Sequence, residues 1–318
     1  MSGVAPEREG LAAVLAATER TLDPGDPERG GHVRVIGHGE ISVALSVAEL
    51  PDLVCKRMSG FADPGAAATY VELVEDYLAR LTDAGVRVAP TQVLTVSRDG
   101  RPPVVYLVQP LLPHESLGNV LLHTADDATV RSAVRAALDV VARLARTSGT
   151  GSGDEVALDG QLSNWSFAAD PLSAEPVLVD VGTPFVRRGG AHALDVELLL
   201  APVPPGIRAY YRRKRLVEAY LDDYFVPRTV ALDLLGNFHK EGAVARLPLG
   251  IAAVDEWLEG GDLPGPRERV SAEEVERYYR KDADLLALYL RLRRMDRFLR
   301  TRVLRRQYDY VLPGHVSR

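Results

Sequence analysis

Ala157-Leu158-Asp159-Gly160-Gln161-Leu162-Ser163-Asn164-Trp165-Ser166-Phe167 and, after a short polar stretch, Pro176-Val177-Leu178-Val179-Asp180-Val181-Gly182-Thr183-Pro184-Phe185 decide how this chain is read. Val177, Val179 and Val181 alternate with Leu178 and Asp180, the period of a strand. Trp165 and Phe167 flank Ser166 in the same way, and Asp170-Pro171 supplies turn chemistry between the halves. Paired as an antiparallel hairpin, the start of the first strand lies beside the end of the second. Asn164 and Asp180 then share one end, with Asp159 in the loop just before it. Two carboxylates and an amide oxygen converge on one small volume. Hard oxygen ligands grouped so suit Mg²⁺, which is held by one or two carboxylates plus substrate phosphates.

The rest of the chain bounds the possibilities. At 318 residues it is long for one core, so two lobes are expected. Apolar content of 46% and charged content of 26% are those of a soluble globular protein. A net charge of -6 argues against general affinity for nucleic acid or anionic membranes. A single cysteine, Cys55, excludes an internal disulfide framework and a zinc cluster and fits a reducing cytoplasm. Neither a secretory leader nor an apolar run of membrane-spanning length is present, so a soluble cytoplasmic protein is expected.

In chain order, residues 7–22 read as a helix with Leu11, Val14, Leu15 and Leu22 on one face, stopped by Asp23-Pro24-Gly25-Asp26-Pro27. Strands follow around Val33 and Val35, over residues 41–45 and over residues 53–56. Gly37-His38-Gly39 joins the first two, and Pro51-Asp52 marks a turn before the third. By itself a glycine pair between strands reads first as a tight turn, and also as a place where backbone approaches a phosphate closely. Lys56 sits among Leu53, Val54 and Cys55, where an unpaired lysine is costly. A helix over residues 66–84 carries the stripe Tyr70, Val74, Tyr77, Leu78 and Leu81 with Glu75 at its edge. Lys56 either pairs with Glu75 or snorkels to the surface. Strands over residues 91–96 and 104–109 end at Pro110 and Pro113. Beyond them helices are predicted over 128–146, 208–223, about 227–236 and 272–303, with loops at 147–153 and 260–266.

Taken together and in this order, these motifs resemble the protein-kinase-like superfamily, and within it the small-molecule branch of aminoglycoside and choline phosphotransferases. The match runs over residues 33–185. The resemblance implies an α+β, bilobal kinase-like fold: residues 1–27 as a helical extension, 28–110 as a small antiparallel-sheet N-lobe with one helix that binds nucleotide, and 111–318 as a larger, mainly helical C-lobe. Gly37 and Gly39 stand for the glycine loop, Lys56 for the strand lysine that holds ATP phosphates, and Glu75 for its helix partner. Backbone near Gln109 and Leu111 would meet the adenine, with Val108 beside it. Asp159 would accept or orient the acceptor hydroxyl, and Asn164 and Asp180 would ligate Mg²⁺. The family usually has histidine where this chain has Ala157. Ser42 replaces the third glycine, Gln161 stands where protein kinases carry lysine, and no Ala-Pro-Glu motif follows.

The implied activity is an ATP- and Mg²⁺-dependent transfer of a phosphoryl group to a hydroxyl of a small-molecule acceptor. A catalytically inactive kinase-like protein that binds nucleotide or acts as a scaffold is the alternative, motivated by Ala157 and the helical tail; adenylylation is a third. Arg187, Arg188 and Asp195 are candidates for an acceptor pocket. The seven histidines show no metal-ligand spacing, and Cys55 reads as a small buried apolar residue. Residues 291–306 interleave eight arginines with Leu292, Met295, Phe298, Leu299 and Leu304. That pattern reads first as a packed terminal helix with a solvated face, and second as a membrane-surface element.

Overall fold

The computed structural model describes residues 8–39, 41–147, 153–168, 174–260 and 263–313. Its elements are α1 (Arg8–Thr21), β1 (Val33–His38), β2 (Ser42–Val47), β3 (Leu50–Met58), α2 (Pro64–Asp83), β4 (Gln92–Arg98) and β5 (Arg101–Pro110), followed by α3 (Gly118–Thr124), α4 (Asp127–Thr147), β6 (Glu155–Val156), β7 (Trp165–Ser166), β8 (Val177–Leu178), β9 (Val186–Arg188) and β10 (Ala191–His192). Helices α5 (Val196–Leu200), α6 (Pro205–Lys214), α7 (Leu216–Asp222), α8 (Pro227–Lys240), α9 (Leu247–Gly260) and α10 (Ala272–Phe298) complete the chain. This is the expected α+β class: a small antiparallel sheet carrying one inserted helix, then a larger helical part.

Strands β1 to β5 form one sheet in the order β1-β2-β3-β5-β4, every neighbouring pair antiparallel. Because side chains alternate across a strand, β3 and β5 each serve two cores. Cys55, Tyr106 and Val108 face a back core closed by Leu11 and Leu15 of α1 and by Val311. Met58, Val105 and Leu107 face a front core that continues through α2 into the helical part. A strand covered on both faces has no exposed side to be polar, which is why residues 103–109 are all buried.

Several boundaries differ from the sequence reading. The turn before β3 is Ala48-Glu49, with Val47 opposite Leu50, so Pro51 and Asp52 lie inside the strand. A proline is tolerated near the start of a strand, before its ladder is fully paired. The helix expected over 208–223 is two, α6 and α7, broken at Arg215 by a left-handed backbone (φ 51°). Helix α9 was not expected. Its buried face is Leu247, Gly250, Ala253, Val254, Trp257 and Leu258, but Leu249, Ile251 and Ala252 outside that face blur the pattern in the sequence. Two of the helices are capped by side chains. Asp63 caps α2 by accepting the Ala66 N–H at 2.8 Å, and Ser271 caps α10 by accepting from Glu274 N–H at 3.2 Å. The Asp170-Pro171 turn lies outside the described residues, as do residues 1–7, 148–152 of the first expected loop and 261–262 of the second. No helix among the described residues is long and apolar enough to cross a membrane.

Candidate active site

The hairpin read from the sequence is present as β7 and β8, with Trp165 opposite Leu178 and Ser166 opposite Val177. Its ladder extends toward the site, because Val179 N–H donates to the Asn164 carbonyl at 2.9 Å. Asn164 and Asp180 therefore flank the same end. The hairpin is fixed to the segment after α2: Leu178 N–H donates to the Arg87 carbonyl and Ala89 N–H to the Leu178 carbonyl. Before β7, the loop 157–163 is held by fit. A Cβ on Gly160 would come within 2.6 Å of Val230 Cγ1, and one on Gly118 within 2.2 Å of the Leu162 carbonyl. The buried Trp165 indole donates to the Gly160 carbonyl. Asp159 turns the loop by accepting the Gln161 N–H at 2.9 Å, and the Asn164 amide points its N–H toward the Asp159 carbonyl at 3.5 Å.

Lys56 reaches this end from β3. Its Nζ lies 2.6 Å from Asp180 Oδ1, which also accepts the Gly182 N–H at 2.9 Å. Gly182 makes room for it: a Cβ there would stand 3.2 Å from Lys56 Cδ. Glu75 is not the partner of Lys56. It lies on the exposed side of α2, whose inward face is taken by Tyr70 and Tyr77. Those two tyrosines are the helix's links to the site. Tyr70 Oη donates to the Gly182 carbonyl at 2.8 Å, and Tyr77 Oη to the Ala157 carbonyl at 2.9 Å. Burial, with the negative charge of Asp180 nearby, drives both phenols far above their ordinary value, so they are permanent donors.

The two carboxyls are tuned in opposite directions. For Asp180 burial works upward, but the charge and hydrogen bond of Lys56 outweigh it and hold the group below its ordinary value. For Asp159 burial wins, and the charge of Asp180 adds to it, against the Gln161 N–H and the charge of Lys240. Asp233 of α8 is pushed further up by burial and then by Asp159. One carboxyl suited to a cation thus sits near another suited to accepting a proton.

The other anticipated residues are spread out. Gly39 closes the β1–β2 turn, its N–H bonded to the Ser42 carbonyl at 3.0 Å. A Cβ there would meet Ser42 Oγ at 2.4 Å, so a side chain at this position would have to displace the Ser42 hydroxyl. Gly37 lies opposite Ala44 beside a bulge, with room for a Cβ. Val108 does not face the site: its side chain packs into the back core with Leu11 and Cys55, because it alternates with Leu107. Gln109 donates through Nε2 to Thr91 Oγ1, and the exposed Leu111 gives its N–H to the Asp52 carbonyl at 2.8 Å. Arg187 pairs with Glu155 and Asp222, and Arg188 with Asp76, while Asp195 caps α5. All three are engaged in structure. Cys55 is fully buried and its thiol is pushed up to about 12 by desolvation.

A family model described as a family of unknown function, DUF6206, matches residues 19–297. The chain belongs to that family. No curated protein matches it. Among solved structures it is similar to one described as WaaP in complex with acyl carrier protein, at 12% identity and a TM-score of 0.40 over 93% of this chain and 99% of that one. It is also similar to the GDP complex of aminoglycoside 2'-phosphotransferase-IIIa, at 12% identity and 0.35, covering 91% and 98%. A related GDP and kanamycin complex gives 13% and 0.33, covering 91% and 99%. Likenesses at these scores carry no weight as to activity. The kinase-like reading of this DUF6206 chain rests on its own strand order and on Lys56 meeting Asp180 at the hairpin end that also carries Asn164.

Lys240 and Asp233 were missed by sequence reasoning. Lys240 Nζ donates to Gln161 Oε1 at 2.9 Å, and Gln161 Nε2 donates to Asp233 Oδ2 at 2.8 Å. With Asn237, Tyr278 and Asp282 they line a small cavity beside the Asp159 loop. Both come from α8, more than 70 residues past the loop, and no local pattern marks them.

The donor set fits a hard cation bound with phosphate. Asp180 offers carboxylate oxygen, the Asn164 amide turns its N–H to backbone, leaving Oδ1 as its ligand atom, and Lys56 brings a positive charge. Among the described residues no group of three or more His, Cys, Asp or Glu could hold a metal. Any Mg²⁺ here would depend on phosphate and water for the rest of its shell.

Proposed function

We propose that this protein is an ATP- and Mg²⁺-dependent phosphotransferase that moves the γ-phosphoryl group to a hydroxyl of a small molecule. The observation that carries the reading is Lys56 Nζ at 2.6 Å from Asp180 Oδ1, at the hairpin end shared with Asn164 and preceded by Asp159. Residues 28–110 would hold the nucleotide and residues 111–318 the acceptor. Mg²⁺, held by Asp180 and Asn164, would neutralise phosphate charge. Lys56 would bind phosphate oxygens and orient Asp180. Asp159, its carboxyl raised, would take the proton of the attacking hydroxyl. Lys240, carried to the loop by Gln161, would supply the positive charge that Gln161 itself lacks. A cytoplasmic location accords with ATP use and a free cysteine.

The test is incubation with Mg-ATP and a panel of sugars, amino alcohols and aminoglycosides, with Asp159→Asn as control. Phosphorylated product formed by the wild type and lost in the variant is expected. Absence of both nucleotide binding and turnover would end the reading. A second reading, nucleotide binding without transfer, is favoured by the exposure of Glu75, which leaves Lys56 without its usual helix partner. Tight binding of Mg-ATP with no transfer to any acceptor would select it.

A further inference from the structure

The end of α10 and the turn after it form a surface that the proposed chemistry does not use. Between Leu285 and Gln307 the sequence has eight arginines and a single acid, Asp296, in a chain of net charge -6. Asp296 is buried and bonded to Arg300, so it does not offset the exposed arginines. Of the eleven large apolar side chains exposed among the described residues, six fall in this stretch: Leu285, Leu288, Met295, Phe298, Val303 and Leu304. Phe298, Val303 and Leu304 are 60%, 61% and 57% exposed.

Helix geometry separates this face from the packed one. At 100° per residue, Leu288, Arg291, Met295 and Phe298 fall within one sector. The opposite sector holds the buried Arg293 and Asp296, with Leu290 and Leu292 buried at its flanks. A core seam and a second, solvent-facing seam of mixed Leu, Met, Phe and Arg thus run along one helix. The segment is also pinned at both ends. Tyr289 Oη donates to the Leu199 carbonyl before it, and Tyr308, Tyr310 and Val311 are buried after it. Between them the chain makes a wide turn, with Leu304 N–H bonded to the Leu299 carbonyl and Arg306 N–H to the Arg300 carbonyl. Arg305 sits in that turn at φ 52°, the left-handed region that favours glycine. Arg300 and Arg208 share the Ala201 carbonyl, which ties the turn to α6 with its exposed Tyr210, Arg213 and Lys214.

We propose that this face docks the protein on a membrane surface of anionic lipid headgroups, with Phe298, Val303 and Leu304 entering the interface and Arg291, Arg302, Arg305 and Arg306 contacting lipid phosphate. Stable interfacial binding needs both apolar insertion and charge attraction, and this face presents the two interleaved. The inference is independent of the proposed phosphotransfer.

The test is flotation of the full chain with phosphatidylcholine vesicles, with and without phosphatidylglycerol. Binding is expected only to the anionic vesicles, and it should weaken as salt shortens the Debye length. Changing Arg302, Arg305 and Arg306 together to Glu should lower binding about a hundredfold or more at low salt. Phe298→Ser with Leu304→Ser should lower it about tenfold with every charge intact. Arg305→Gly relieves the left-handed backbone, so its unfolding midpoint should be unchanged or higher while binding falls several-fold, a split that a purely structural arginine would not give. Failure to bind anionic vesicles at low salt overturns the proposal. So does binding indifferent to Phe298→Ser with Leu304→Ser, which would mark the face as a charge-only surface such as an acidic protein would meet.

Discussion

Lys56 and Arg57 are neighbours on β3 and point to opposite faces of the sheet. Arg57 faces back and is saturated. Its side chain is 1% exposed and grips Glu19 through Nε and Nη2, donates to the Asp309 carbonyl, and shares Glu19 with Tyr106 Oη. Lys56 faces the hairpin, is 17% exposed, and touches one carboxylate that is itself 39% exposed. An ion pair whose nitrogens and carboxylate oxygens are all bonded within the chain holds the fold together. A pair left open to solvent on one side can exchange partners with a ligand. The contrast separates the structural charge from the functional one although they adjoin in sequence.

The largest effect should come from the back face. Arg57→Met leaves Glu19 in the core with Tyr106 Oη and the more distant Arg98, and breaking such a buried pair costs about 3–5 kcal/mol. Urea unfolding measures it, and a loss below about 1 kcal/mol would break the contrast. Tyr77→Phe deletes the hydroxyl that holds the Ala157 carbonyl and should cost about 1 kcal/mol. Lys56→Met should cost less than Arg57→Met, about 1 kcal/mol or under, because its partner faces solvent. It should nonetheless abolish stabilisation by Mg-ATP in a thermal-shift assay. Glu75→Ala should change neither quantity by more than about 0.5 kcal/mol, since the side chain is exposed.

Asp233 gives a prediction in pH. Burial and Asp159 hold its carboxyl well above the usual range, so above the ordinary aspartate value the folded chain keeps a proton the unfolded chain has released. Stability from this group therefore falls as pH rises through that window. Asp233→Asn should raise the unfolding midpoint at neutral pH, and the gain should vanish below about pH 4, where both states are protonated. A gain that persists there would contradict the assignment.

Much of this was legible. The hairpin, Lys56 on its strand, the five strands and the division into sheet and helices follow from periods of two and 3.6 with turn residues between them. What was not legible lies in contacts without local pattern. The period placed Glu75 near the inner stripe of α2 but could not say that Tyr70 and Tyr77, seven apart, would bond the Gly182 and Ala157 carbonyls instead. Val108 was assigned to the cleft from order along the chain, yet its parity with Cys55 places it in the back core. Arg57 meets Glu19 across 38 residues and Asp309 across 252, and nothing in their surroundings pairs them. Lys240 reaches Gln161 from α8 in the same unsignalled way.

The central claim is that Lys56 and Asp180 form a nucleotide–metal site and not merely an ion pair. Calorimetric titration of the wild type and Asp180→Asn with a non-hydrolysable ATP analogue, with and without Mg²⁺, tests it most directly. The account predicts that Mg²⁺ tightens binding to the wild type by tenfold or more, about 1.4 kcal/mol, and leaves Asp180→Asn unchanged. Absence of binding, or the same Mg²⁺ enhancement in both proteins, would contradict it.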